Sequence, residues 1–259
     1  MTTVRPDLAV TGNDTLWSNA ELAKRWVLAC LMRWSWFSDR DSGPLPEFHM
    51  LAEATADGQA EVVMGHASGV VTLNLAEADA AERIRRRDQL GEPYRTMIGH
   101  IRHELAHFLF ERLGRSPDFL GSFRNLFGNE AEDYAQALAA YYQSGPPAGW
   151  QESHVTPYAA AHPHEDWAES AAHILHMTDI VDSFSASGLS GSSLPGAGYD
   201  AYAETDPQRL IGYGVDLGIA LNHVNRAMGL SDLYPFVNSQ RAREKLAFAH
   251  EWLSAGPAG

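Results

Sequence analysis

His103, Glu104 and His107 are the residues of this chain whose types and spacing best suit chemistry. On a helix, positions four apart lie one turn above each other, so the two histidines would present two imidazoles side by side to a single ion. Glu104 sits beside them. Two neutral nitrogens that hold Zn2+, and a carboxylate that takes a proton from the water the ion acidifies, are the working parts of a zinc hydrolase. With 12 histidines in the chain, HELAH alone is only a moderately specific pattern. Its surroundings strengthen it. Tyr94, Met97, Ile98, Ile101, Leu105, Phe108 and Leu109 form one apolar face at helical spacing, and His100, His103 and His107 fall on the opposite side.

Catalytic zinc usually takes a third protein ligand and leaves one position open. Two downstream segments compete for that role: Asn129 to Tyr134, with Glu130, and His164 to Glu169, with Glu165. The second is favoured. Glu165 and Glu169 lie a turn apart on a helix otherwise built for burial, where carboxylates are costly unless they meet a metal or a hydrogen-bond donor. Glu165 is then the ligand, and Glu169 accepts the outer N–H of a ligating histidine. The competing explanation is a solvated first helical turn, where acids are common anyway.

Several elements must position these groups. Trp17 to Trp36 reads as a helix, with Trp26, Leu28, Leu31, Met32 and Trp34 supplying apolar surface for packing. Three strand-like runs follow, Phe48 to Thr55, Gln59 to His66 and Val70 to Leu75, separated by Asp57-Gly58 and Ser68-Gly69, and this turn chemistry predicts an antiparallel meander. The last run is either a sheet edge able to pair with an extended peptide or an interior strand. Ala76 to Gly91 reads as a helix whose acids and bases suit its dipole, and Pro93 opens the motif helix that Gly114 closes. Further helices are expected over Pro117 to Phe127, Glu130 to Tyr142, Ser170 to Val181, Leu210 to Met228 and Asn238 to Leu253. Ser183 to Gly198 is expected as a surface loop, with a lid as the alternative. Strands followed by helices predict an α+β fold. A small antiparallel or mixed sheet and the active-site helix form one lobe (17–114), and a mainly helical second lobe (115–254) carries the third ligand. Residues 1–16 and 255–259 are expected to be loose.

Composition excludes some classes. A formal charge of -14 over 259 residues argues against a nucleic-acid partner. The single cysteine, Cys30, rules out an internal disulfide or a cysteine-built zinc site and fits a reducing compartment. With no leader-like start and no long apolar run, the expected location is cytoplasmic, with no membrane partner.

H103-E-L-A-H107 with E165-D-W-A-E169 resembles the gluzincin zinc metallopeptidases. More closely, GEPYRTMIGHIRHELAHFLFERL, GPPAGWQ, HPHEDWAE and LNHVNRAMGLSDLYPFV resemble a bacterial family of putative zinc-binding metallopeptidases, over about Val70 to Leu246. The resemblance implies a zincin-like fold and one zinc per chain at His103, His107 and Glu165. It also implies Glu104 as general base and a peptide or protein substrate. It points to Tyr158 as an oxyanion stabiliser, a role that suits a phenol aimed at a developing alkoxide; His154 and His100 are weaker candidates. Members often carry an amino-terminal cysteine-rich zinc ribbon, which this chain lacks. Two other functions remain open at this point: a metal-stabilised binding or scaffold protein, which would have no use for Glu104 as a base, and hydrolysis of a non-peptide amide.

Overall fold

The computed structural model describes residues 1–79, 96–233 and 238–257. Among them are seven α-helices and a small mixed sheet, an α+β arrangement. The chain divides into two compact units, Met1–Leu109 and Phe110–Gly256.

In the first unit, β1 (Thr3–Val4) precedes α1 (Asn13–Arg33), and β2 (Glu47–Leu51), β3 (Ala54–Thr55), β4 (Gly58–Gln59), β5 (Gly65–Ala67) and β6 (Val70–Asn74) follow. The sheet order is β1-β2-β6-β5, and β3 and β4 form a separate hairpin. The antiparallel meander is therefore corrected: β2 runs parallel to both β1 and β6, and only β5 pairs antiparallel with β6. Asp57-Gly58 and Ser68-Gly69 do make their local turns, but the central pairing is set by burial. Phe48 opposes Val71 and Met50 opposes Leu73, and all four are fully buried. β6 is thus interior, so Val70 to Leu75 does not form the sheet edge.

β1 lies in the stretch expected to be loose, and α1 holds it. Lys24 of α1 donates to the Thr3 hydroxyl at 2.9 Å and lies over the Phe48 ring of β2. Leu31, Trp34 and Trp36 are buried, whereas Trp26 and Met32 are about half exposed. After β6, Leu75–Ala78 forms a 3-10 turn capped by the Asn74 side chain, which accepts from the Ala76 N–H. Beyond residue 79, the helix expected to Gly91, together with Pro93 and Tyr94, lies outside the described residues. α2 (Met97–Leu113) carries the HELAH sequence. Phe108 of α2 packs against Phe37 and the β5 residue His66.

The second unit contains α3 (Pro117–Phe127), α4 (Tyr134–Ser144), α5 (Pro163–Ala186), α6 (Pro207–Ala227) and α7 (Gln240–Ser254). α3 spans the expected range: Ser116 caps it by accepting from the Phe119 N–H, Pro117 takes the first turn, and Gly128, at φ 105°, ends it. α5 is the axis of this unit, flanked by α6, α7 and a 3-10 turn at Tyr158–Ala161. It runs on to Ala186, into the stretch expected as loop. At Gly214 of α6, a Cβ would stand 2.9 Å from the Met177 side chain of α5, so only glycine permits this approach. Phe119, Phe123, Phe127, Trp167 and Phe248 fill the space among α3, α5 and α7, with Phe110 from the last turns of α2.

Candidate metal centre

α2 buries Met97, Ile101, Leu105, Phe108 and Leu109, which leaves His103 and His107 on its half-buried flank. Their Nε2 atoms converge to 3.1 Å, with ring centroids 4.8 Å apart. That is a hydrogen-bond distance. It is also close to the spacing of about 3.3 Å expected between two nitrogens on one tetrahedral zinc. Glu104, between them in sequence, is 8% exposed, in surroundings that shield a carboxylate from bulk water. His66 of β5 stands close enough to His107 to feel its charge. Burial first, and then His107, pulls the His66 pKa down to about 4, so this imidazole is neutral near pH 7.

The start of α5 brings the second set of groups. His162 caps the helix and Pro163 occupies its first turn, which places Glu165 and Asp166 at the N-terminal end, where the helix dipole favours carboxylates. Glu165 is 1% exposed, and the Tyr134 hydroxyl donates to its Oε1 at 2.6 Å. Tyr158 lies near enough to feel the Glu165 charge. Burial, then Glu165 and Tyr134, hold its phenol protonated well above the usual range. Phe110, three residues after His107 on α2, sets its ring edge-on to His164 at 4.6 Å and to Trp167 at 6.1 Å. His103 and His107 thus offer two imidazole nitrogens, and Glu165 a buried carboxylate oxygen, each of a kind that binds a metal ion. A mixed nitrogen and oxygen set of three is what zinc takes in sites that keep one position open.

Other expected groups have local partners. Glu130 accepts from both Nε and Nη2 of Arg124, which holds its carboxyl below the usual range and supplies it with a cation of its own. Glu169 stands 3.9 Å from His173, one turn along the same helix. His154 lies 3.6 Å from Asp166, and buried Lys245 donates to Asp166 at 2.5 Å and to the Ser153 carbonyl at 2.8 Å. Burial pushes the Asp166 carboxyl up to about 7 against the pull of Lys245. His100 sits on α2, part-buried.

Two residues in these networks carry no sequence signal of their own. Tyr134 follows the Asp133 helix cap and looks like any first-turn aromatic, while Lys245 looks like one cation in a charged helix until its burial is seen.

The sequence model of a family described as "putative zinc-binding metallo-peptidase" matches residues 13–252. Uncharacterized proteins of Mycobacterium tuberculosis and Mycobacterium bovis are 40% identical to the chain over 256 residues, covering 96% of it and 73% of their own length. No solved structure matches it. Among the described residues, no helix is long and apolar enough to cross a membrane.

Proposed function

Because the chain belongs to the "putative zinc-binding metallo-peptidase" family, we propose that it is a zinc peptidase of the gluzincin type, with a zincin-like fold, cutting peptide bonds in peptide or protein substrates. The observation that carries this reading is the convergence of the His103 and His107 Nε2 atoms on a helix that also bears Glu104. His103 and His107 hold one zinc per chain through Nε2, and Glu165 holds it through a carboxylate oxygen. When bound, zinc lowers the pKa of water and polarises a substrate carbonyl. Glu104 takes the proton of the attacking water and returns it to the leaving amine. Tyr158, protonated, donates to the oxygen that gains charge as the carbonyl is attacked. Glu169 supports the outer N–H of a ligating histidine.

The test is the metal content of protein purified without added metal, alongside Glu165→Ala. About one zinc per chain is expected in the parent, and markedly less in the variant. A parent that takes up no zinc even when it is supplied overturns the proposal. Full occupancy in Glu165→Ala removes Glu165 from the ligand set.

A further inference from the structure

Two tyrosines approach Glu165, and they are not equivalent. The Tyr134 hydroxyl donates to Glu165 Oε1 at 2.6 Å, the short range of a hydrogen bond to an ionised carboxylate. Tyr158 is hydrogen-bonded to Tyr142, and its ring packs against Tyr141 at 5.7 Å.

Tyr134 is also fastened to the helix that carries Glu165. His162, the cap of α5, accepts from the His164 N–H through Nδ1, which places its ring proton on Nε2. That nitrogen, 3.2 Å from the Glu132 carbonyl, then donates to it. The Tyr134 ring stands edge-on to the His162 ring at 5.1 Å. One histidine thus joins the chain just before α4 to the first turn of α5, and Tyr134 enters that joint from the α4 side.

We propose that Tyr134 is the positioning residue of Glu165: by engaging one carboxylate oxygen, it turns the other toward the metal and fixes the ligand in a one-oxygen mode. This rests on the zinc reading above. Outer partners of metal ligands raise affinity because the ligand is oriented before the ion arrives, and their loss typically weakens binding by about 10-fold or more. Tyr134 is 44% exposed, so removing its hydroxyl leaves the buried core untouched. Its effect should therefore be read at the metal and not in the fold.

The experiment compares the full-length parent with Tyr134→Phe and Tyr158→Phe. Zinc affinity is measured by competition with a chelator, and the visible absorption of the cobalt(II)-substituted protein reports ligand geometry. Circular dichroism and the thermal midpoint of the metal-free proteins register folding. Tyr134→Phe is expected to bind zinc about 10-fold more weakly and to shift the cobalt bands, with the metal-free midpoint unchanged. Tyr158→Phe is expected to keep the parent's affinity and bands. Parental affinity and bands in Tyr134→Phe, or an equal loss in Tyr158→Phe, overturn the inference while leaving the zinc reading intact. A parent that binds no zinc overturns the zinc reading and this inference with it.

Discussion

The two helices that bear the proposed ligands are both buried over most of their length, but they hold those ligands at different depths. α2 buries Arg102 and Glu104 along with its apolar residues but leaves His103 and His107 half-buried. α5 is buried over most of its length, and the polar groups Glu165, Asp166, Ser170, His173 and Thr178 lie inside with it. On α2, therefore, the ligand pair stands at a half-buried margin, although Glu104 itself lies inside. On α5 the ligand lies in the packed interior, where each polar side chain needs a partner to be tolerated.

The sharpest way to break that contrast is Glu104→Gln. It keeps the shape and removes the base, so kcat/KM should fall by at least about 100-fold, while bound zinc and the urea midpoint of the metal-free protein stay close to the parent's. A protein that unfolds would show that α2 is as bound up with stability as α5. Full activity would remove Glu104 from the mechanism.

The same contrast explains what could be read in the sequence. His103 and His107 stand out because helical period separates them from Met97, Ile101, Leu105 and Leu109, and Glu104 because it follows His103 directly in sequence. α3 was legible to the residue because Ser116, Pro117 and Gly128 are local signals with fixed positions. The parallel pairing of β2 with β6 was not: the turns at Gly58 and Gly69 describe only their own hairpins, and the register of distant strands depends on which faces are buried together. The same limit hid Tyr134 and Lys245. Their partners, Glu165 and Asp166, lie 31 and 79 residues away, and no pattern within a helix encodes a hydrogen bond over that distance.

Lys245→Met tests the α5 side of the comparison. Lys245 and Asp166 are both almost wholly buried, and the lysine also ties down the Ser153 carbonyl. Removing the cation leaves a carboxylate without its charge partner and an acceptor without its donor. The expected cost is about 3–5 kcal/mol, measured as a lowered urea midpoint in the metal-free protein. The double replacement Lys245→Met with Asp166→Leu should recover much of it, since a buried pair can be exchanged for apolar side chains at little cost. A near-neutral single variant would mean that the interior of α5 tolerates an unpaired charge as readily as an exposed flank.

The smallest effect concerns His154, which lies beside the same pair. Burial, followed by the charge of Lys245, lowers its pKa from 6.5 to about 4. Between those values the unfolded chain binds a proton at this position and the folded protein does not. The sign follows from linkage: this contribution is present above about pH 6.5 and is lost as the pH falls toward 4. Because the side chain is 22% exposed, the slope should stay below the single-proton limit of about 1.4 kcal/mol per pH unit. Urea midpoints of the metal-free protein from pH 7 to pH 5 should decline, and His154→Gln should decline less steeply. If the two slopes coincide, His154 takes up its proton while folded, and the interior around Asp166 and Lys245 admits more water than its burial indicates.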